Sequence, residues 1–403
     1  MSRRTIKDFR RSAEEYEEEV RERPRRRKKT RHWPRIWGRI LLVAVLVTAL
    51  VLVIVNWKTI APSSLVSWVD DLMSGTASGS WPVTLTGGSV TAIEEVSGGN
   101  VVLLSDSATI YYNGSGGESV RRVHAFTNPM MRTAGRYVLI AESGGNRFRL
   151  ETRSDIELEQ AVSNKICTVA VSENGDVAVV TDSSQSHISE VTVYSRKGNQ
   201  RYQWLSAEWL VLDAAFSSNG QSLAVVGCRS ANGAMQSAVI TFDLRAGEDK
   251  STQYDVTDTL YTRVKYVGNG TVAAVGDNGA RVVRPGGSLD QTVDYEKEEL
   301  IGMAFLDGIA LVTRPYGSQL GGTLRLISSA GDVTLTQPFE GAFRDISIYS
   351  GRYLLLTDRT AYVIGRGGIE REAEVPSDSY MVSAIGDKAL ILGLTSLSEA
   401  VWK

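Results

Sequence analysis

The sequence predicts an all-β protein, an eight-bladed β-propeller, preceded by one transmembrane helix and a short juxtamembrane amphipathic helix. Three observations carry this prediction: eight copies of a Gly turn followed by four apolar residues, a charge-free apolar run near the N-terminus, and a spare strand ahead of the first copy. A repeat of about 40 to 45 residues is typical of propellers, whose blades are four-stranded antiparallel sheets. Seven blades remain the alternative, since the first or last copy could be mispaired.

The charge-free run extends from Ile40 to Val55. With the flanking Trp37 and Trp57 at the positions of interfacial aromatic belts, it is long enough to cross a hydrocarbon core of about 30 Å. The basic residues precede the run, so the positive-inside bias places the N-terminus in the cytoplasm. A cleaved signal peptide is the alternative. The charged preamble is longer than a normal n-region, however, and no small-x-small site follows Val55.

The formal charge is distributed unevenly along the chain. Residues 1–39 contain 15 Lys and Arg against 7 Asp and Glu, a net +8, and the remainder therefore carries 29 against 39, a net −10. The cluster from Arg25 to Lys29 could bind anionic lipid or nucleic acid. The preferred interpretation is a topogenic signal resting on lipid headgroups, with no nucleic-acid partner.

A short amphipathic helix is predicted after the membrane run, because Leu65, Trp68, Val69 and Leu72 have i, i+3, i+4 and i+7 spacing. The Gly- and Ser-rich segment from Ser74 to Ser80 indicates a flexible tether. The predicted organisation is a basic cytoplasmic tail at 1–36, a transmembrane helix at 37–60, the juxtamembrane helix and linker at 61–80, and an extracytoplasmic propeller at 81–403.

The repeated unit is a Gly turn before a four-residue apolar strand. Its copies start at Gly99, Gly135, Gly175, Gly220, Gly270, Gly308, Gly351 and Gly386. The dipeptides Asn174-Gly175, Asn219-Gly220, Asn269-Gly270 and Asp307-Gly308 tolerate the positive φ of hairpin turns, which join strand a to strand b. An apolar run without alternation is typical of a strand buried on both faces, so strand b is predicted to be the inner, sandwiched strand.

A more amphipathic strand c and a polar outer strand d complete each copy except the eighth. That copy ends with a strand c predicted at Glu399 to Trp402 and lacks a strand d. The spare strand from Trp81 to Leu85 can fill the missing place and close the ring, which removes the open sheet edges. Pro82 suits such an outer position, where a missing N–H donor has no cost.

The sequence contains few residues that could carry catalysis or hold a metal. His32, His124 and His187 are the only histidines, there is no zinc spacing, and no nucleophile elbow, phosphate loop or calcium loop is present. Cys167 and Cys228 lie at non-equivalent positions of neighbouring copies, so two buried thiols are favoured over a disulfide. No cofactor is expected.

Carboxylates recur directly after strand b and would gather at one rim of the channel: Asp106, Glu142, Asp182, Asp277 and Asp358. They are candidates for holding a cation or polar ligand at that rim. The simpler interpretation is that they make side-chain-to-backbone bonds in turns. Trp204 and Trp209 offer a similar choice between a partner surface and packing between blades, and packing is favoured.

The chain resembles a group of bacterial membrane-anchored propellers of unknown function, found mainly in Gram-positive anaerobes. The resemblance rests on the basic cluster before Leu41 to Val55, the Leu65, Trp68 and Val69 stretch, the Trp81-Pro82-Val83 strand, and the turns at Ser172 to Gly175 and Ser217 to Gly220. In blade pattern it is also similar to WD40 and quinoprotein propellers, although their signature residues are absent. The resemblance implies a fold and a cellular location, and it carries over no active site.

The functional expectation is a non-catalytic binding or scaffold module of the cell envelope, anchored in lipid by one segment and serving an envelope protein or cell-wall partner. The alternative is an enzyme, either a quinoprotein-type oxidoreductase or a glycan-acting propeller, which requires convergent carboxylates or a cofactor in the channel. A third hypothesis is signal transmission to the cytoplasmic tail.

Overall fold

The computed structural model describes residues 77–183, 186–245, 251–256 and 259–402. The predicted basic tail, transmembrane helix and amphipathic helix lie outside these residues. Within them, no helix combines the length and apolar content needed to cross a membrane.

The described chain forms 32 β-strands in eight four-stranded antiparallel sheets, which confirms the eight-bladed propeller and rejects the seven-bladed alternative. Blades 1 to 4 consist of β2 (Val90–Val96), β3 (Asn100–Ser105), β4 (Ala108–Asn113) and β5 (Glu118–Val123); β6 (Pro129–Ala134), β7 (Tyr137–Glu142), β8 (Arg147–Glu151) and β9 (Ile156–Ala161); β10 (Ile166–Val171), β11 (Val177–Asp182), β12 (Ser189–Tyr194) and β13 (Gln200–Ser206); and β14 (Leu210–Phe216), β15 (Ser222–Ala231), β16 (Ala234–Asp243) and β17 (Ser251–Val256).

Blades 5 to 7 repeat the same order, and blade 8 combines both ends of the propeller. These blades consist of β18 (Tyr261–Val267), β19 (Thr271–Gly276), β20 (Gly279–Val283) and β21 (Asp290–Asp294); β22 (Glu298–Phe305), β23 (Ile309–Pro315), β24 (Gly322–Ile327) and β25 (Val333–Phe339); β26 (Phe343–Tyr349), β27 (Arg352–Thr357), β28 (Thr360–Gly365) and β29 (Gly368–Glu374); and β30 (Met381–Ile385), β31 (Lys388–Leu392), β32 (Ser396–Glu399) and β1 (Val83–Thr84).

Ring closure occurs in blade 8 as the sequence predicts. Strand β1 pairs antiparallel with β32, with Val83 opposite Leu397 and Thr84 opposite Ser396. Strand c of this blade ends at Glu399, so the predicted strand from Glu399 to Trp402 was placed too late in the sequence. The earlier position follows from the turn after β31, where the Gly393 N–H donates to Ser396 O at 2.8 Å and the chain reverses sooner than expected.

The hydrophobic core is divided among the seams between blades. Eight clusters of buried side chains are present, one at each contact of neighbouring blades, including blade 8 with blade 1. Strand b supplies much of each cluster; all six residues of β3, for example, are buried. Trp209 is buried in the cluster of blades 3 and 4, against which Trp204 packs, so both tryptophans pack between blades.

Strand b is sandwiched as predicted, but strand a is the innermost strand. The sheet order is a-b-c-d, and the a strands of neighbouring blades lie side by side around the axis. Strand a is more polar than strand b because its free edge faces the channel and its water, whereas both faces of strand b are covered by other blades. The pattern of apolar residues along a strand indicates whether the two faces of that strand are buried, but it does not indicate how far the strand lies from the propeller axis.

The Gly turns between strands a and b follow the predicted geometry at three of the four Asn/Asp-Gly dipeptides. Gly175, Gly220 and Gly270 have φ of +82°, +66° and +73°. Gly308 is absent from the positive-φ positions, and its need for Gly is steric, because a Cβ there would lie 2.1 Å from Ile327 O on strand c.

The propeller has two rims of different composition. The a–b and c–d connections lie at one end of the blades, and the b–c and d–a connections lie at the other. The chain reaches blade 1 at the first end, where Asn113 Nδ2 donates to Ala77 O at 2.8 Å and a Cβ on Gly79 would lie 2.3 Å from Gly117 N. The end that receives residues 77–80 is called the N-terminal rim, and the opposite end the distal rim.

Candidate functional site

The five carboxylates predicted as rim candidates lie together on the distal rim, each at the end of a strand b. Four of them accept a backbone N–H from the connection that leads into strand a of the same blade. Glu142 Oε1 accepts from Thr127 N at 2.8 Å, and Asp182 Oδ1 from Lys165 N at 2.9 Å. Asp277 Oδ1 accepts from Leu260 N at 2.9 Å, and Asp358 Oδ1 from Ala342 N at 2.8 Å.

These bonds fix the d–a connections against the b–c turns. At Asp106, the side chain instead lies against Gly88, where a Cβ would be 2.3 Å from its Oδ1. In blade 8 the two connections are joined by a bond of reversed direction, because Asp378 of the d–a connection accepts from Leu394 N of the b–c connection at 3.1 Å. A repeated side-chain-to-backbone bond accounts for the spacing of these carboxylates, and their binding role stays a prediction.

A second group of charged side chains, which the sequence analysis did not single out, lines the axial channel. It comprises Glu94 of β2, Arg132 of β6, Asp213 of β14, and Arg263 and Lys265 of β18. They surround a cavity of about 310 Å³ whose other walls are mainly small or apolar, including Ala170, Met303 and Phe305. The available signal was a charge inside an otherwise apolar strand a, as in the stretches 90–96 and 210–216.

Asp213 of blade 4 is held by contacts to two other blades. Its side chain is buried on blade 4, its Oδ2 accepts from Val264 N of blade 5 at 3.0 Å, and its Oδ1 lies 3.8 Å from Arg132 Nη2 of blade 2. Burial raises the pKa of Asp213, and the nearby Arg132 guanidinium opposes that rise. The carboxylate therefore caps an N–H on the channel edge of β18, a group that no neighbouring strand can satisfy.

Asp345 of β26 occupies the equivalent position on blade 7. Asp213 lies opposite Val226 and Asp345 opposite Leu356, the fourth residue of the apolar run in each blade, and both follow a register shift. Asp345 Oδ2 accepts from Val382 N of blade 8 at 2.9 Å, and its Oδ1 from Ile346 N at 2.8 Å. Burial raises the pKa of Asp345 to about 6, and these two N–H groups oppose the rise.

Glu94 is exposed to the channel, whose walls of protein enclose it. This enclosure raises the pKa of Glu94, Lys265 across the channel lowers it, and Asp345 raises it further. The Asp345 carboxylate thus acts on Glu94 across blade 8. Among the described residues, no three His, Cys, Asp or Glu side chains converge as metal ligands.

The titration of Asp345 predicts a pH-dependent stability. Because its pKa in the folded chain is about 6, above the ordinary 3.8, the folded state binds this proton more tightly than the unfolded state. The free energy of unfolding should therefore fall by on the order of 2–3 kcal/mol as the pH rises from about 4 to above 6. Asp345→Asn should flatten this slope in urea unfolding measured across the range, since Asn keeps an acceptor oxygen and cannot ionise.

Asp387→Asn, at an exposed turn, is the matched control and should leave the slope unchanged. Glu94 faces Asp345 and has a raised pKa of its own, so some slope should remain in Asp345→Asn and become smaller when Glu94→Gln is added. Asp213, whose pKa is also raised by burial, should keep part of it. A slope in Asp345→Asn equal to that of the wild type would show that Asp345 titrates normally.

Fold and channel together define the class of this protein: an eight-bladed β-propeller with a charged axial channel. The chain belongs to a family of unknown function, DUF5711, which matches residues 79–390. No curated protein matches it.

The solved structures similar to this chain are propellers of low sequence identity. The C-terminal WD40 domain of Sif2 has a TM-score of 0.56 at 10% identity, covering 81% of this chain and 99% of that domain. BamB from Moraxella catarrhalis has a TM-score of 0.47 at 12% identity, covering 80% and 97%. The Cps50 (Swd1) propeller of Myceliophteria thermophila has a TM-score of 0.47 at 10% identity, covering 79% and 98%. At such identities the likeness concerns the fold alone.

Proposed function

We propose that this chain is a non-catalytic binding or scaffold module of the cell envelope, held at the membrane by residues 37–60, with the propeller outside the cell. The distal rim is its binding surface. The observation that carries the proposal is the unequal distribution of exposed apolar side chains between the two rims. Such side chains, when concentrated on one surface, are typical of interaction sites.

Eleven large apolar side chains are exposed among the described residues, and eight of them lie at the distal rim. These eight are Val123, Ile188, Leu205, Leu210, Met235, Tyr316, Leu320 and Leu394. The N-terminal rim carries the other three, Ile156, Val333 and Val401. Because residues 77–80 join the propeller at the N-terminal rim, a tether at that end leaves the apolar rim accessible to a partner.

Two connections of the distal rim supply much of this surface. In blade 4, strands β15 and β16 continue to Ala231 and Ala234, beyond the last pairs with β14 at Cys228 and with β17 at Ser237. The resulting hairpin carries Met235, which is 53% exposed. In blade 6, the b–c connection carries Tyr316 and Leu320, each 69% exposed. A rigid ring that presents projecting apolar loops suits partner binding.

Two carboxylates of the inner strands support a binding role over catalysis, because both have a structural use. Asp213 and Asp345 each accept a backbone N–H from the next blade, which is a structural task. The enzyme alternative would draw on Glu94, whose raised pKa suits proton transfer, and it needs a substrate that reaches this carboxyl.

The rim proposal is tested by in-cell crosslinking of the full-length chain with a triple Ser variant of Met235, Tyr316 and Leu320. The expected result is that the wild type captures an envelope component and that the variant loses it. Apolar anchors of this kind carry a large share of interface affinity, so a loss of at least about tenfold in yield is expected.

The matched control is a double variant with Ser at Ile156 and Val333, which lie on the N-terminal rim. This variant should still capture the envelope component. Equal capture by the triple variant and this control would place the binding surface elsewhere. Protease treatment of intact cells tests the location, because cleavage at the blade-4 hairpin requires the propeller to be outside.

A further inference from the structure

The channel contains two cations that the fold leaves without a bonded partner. Arg263 and Lys265 lie two residues apart in β18, so their side chains leave the same face of the strand. Both residues are exposed to the channel and line the cavity of about 310 Å³. Among the described residues, neither makes a hydrogen bond or an ion pair within 4.0 Å.

A carboxylate faces these cations from the opposite wall. Glu94 belongs to blade 1, and the cations belong to blade 5, which lies directly across a ring of eight blades. Glu94 lines the same cavity and is exposed to it, and it too makes no ion pair within 4.0 Å in the described part of the chain. A positive wall and a negative wall therefore face each other across an open space.

The remaining lining charges are already used. Arg132 and Asp213 face each other at 3.8 Å, and Asp213 also accepts from Val264 N. The lining holds three cations and two carboxylates, a net charge of +1. After the Arg132 and Asp213 pair is set aside, two cations and one carboxylate remain for a ligand.

We propose that the channel binds a small carboxylate that carries an amino group, a ligand of the free amino acid or dipeptide class. Its carboxylate lies between Arg263 and Lys265, and its ammonium group lies against Glu94. The cavity volume is at the lower end of the range for small-molecule sites, and Met303, Phe305 and Ile346 offer apolar contacts to a side chain.

The mouth of the channel at the N-terminal rim favours entry of the ammonium group. Glu95 and Glu173 line an adjoining cavity there, which shares Glu94 with the first, and Asp307 in the a–b turn of blade 6 lines another, which shares Lys265. This excess of carboxylates attracts the positive end of a zwitterion, and Arg263 and Lys265 then receive its carboxylate. This site lies inside the ring and is separate from the distal rim proposed for a protein partner.

The test is calorimetric titration of the full-length chain with a pool of free amino acids and dipeptides, and with the same pool N-acetylated. The free pool should bind more tightly than the acetylated pool. Arg263→Gln and Lys265→Gln should lower the affinity for both pools by about tenfold or more, since charge-assisted bonds to the ligand carboxylate are lost. Glu94→Gln should lower the affinity for the free pool alone and leave the affinity for the acetylated pool unchanged.

Lys197→Gln, on the exposed c–d turn of blade 3, is the matched control and should bind as the wild type does. Circular dichroism of Glu94→Gln confirms that this near-isosteric variant is folded. The proposal is overturned if neither pool binds at millimolar concentration. It is equally overturned if Glu94→Gln weakens both pools alike, or if the Arg263 and Lys265 variants bind as tightly as the control.

Discussion

Replacing Glu151 with Ala is expected to lower the free energy of unfolding by about 3–5 kcal/mol, a large fraction of a typical domain's stability. Glu151 lies on β8 of blade 2 with 0% of its surface exposed. Its Oε1 accepts from the Thr109 and Tyr111 hydroxyl groups of blade 1 at 2.7 and 3.0 Å. Removing it leaves these two donors without their shared acceptor at the seam of blades 1 and 2.

The arginines around Glu151 increase this effect. Arg149 Nε lies 3.1 Å from Glu151 Oε2, and Arg122 Nη1 lies 3.8 Å from Oε1. Because Arg149 is itself only 4% exposed, the variant retains a buried cation without its counter-ion, which costs more than the loss of the pair itself. Chemical denaturation of the full-length chain followed by tryptophan fluorescence measures the change.

Glu159→Ala on the outer strand β9 is the control, since Glu159 is exposed and should change stability by no more than about 0.5 kcal/mol. Replacing Arg149 by Met together with Glu151 by Gln should recover part of the loss, because the buried charge is then removed. A loss below about 1 kcal/mol in Glu151→Ala would mean that water replaces the carboxylate at this seam.

The second large effect is expected at the closure of the ring, where Leu397→Ala should cost about 2–5 kcal/mol. Leu397 pairs with Val83 of β1 and is 0% exposed in the cluster between blades 8 and 1. Truncating it leaves a cavity beneath the single short strand that joins the two ends of the propeller. Because the seam holds both ends, the variant should also become more susceptible to proteolysis near Trp81.

Leu394→Ala offers a control of the same residue type in the same blade, since Leu394 is 73% exposed. It should unfold at the wild-type denaturant concentration and resist protease equally. If both leucine variants behave alike, β1 does not contribute to the stability of the closed ring, and the closure seen here is incidental to folding.

The blade pattern was predictable because its signals are local. The run Val101 to Leu104 after Gly99 needs only its own residues to indicate a strand buried on both faces, and the structure buries all of β3. The closing strand at Val83–Thr84 was equally accessible, because an incomplete last blade and a spare first strand can be counted along the chain. At Gly308, local reasoning identified the turn but assigned its glycine to the wrong cause.

The charged channel was not predictable in the same way. Asp213 is a carboxylate inside an apolar strand, and no residue near it in the sequence explains its presence. Its partners are Val264 N and Arg132, which belong to other blades. The rim candidates were easier to find because Asp182 and its equivalents recur at a fixed place after strand b. Their bonds to backbone N–H groups, such as Lys165 N, are also short in sequence range.

The sequence by itself predicted eight blades, with seven left open, and located the a–b turns and the strand that closes the ring, because turn residues and apolar runs act over a few neighbours. Only the tertiary structure decided which strand faces the axis, which charges meet there, and which rim displays apolar side chains. Glu94 and Lys265 lie far apart along the chain and share a cavity because eight inner strands are arranged in a circle. Their juxtaposition depends on the closed ring, which no local pattern encodes.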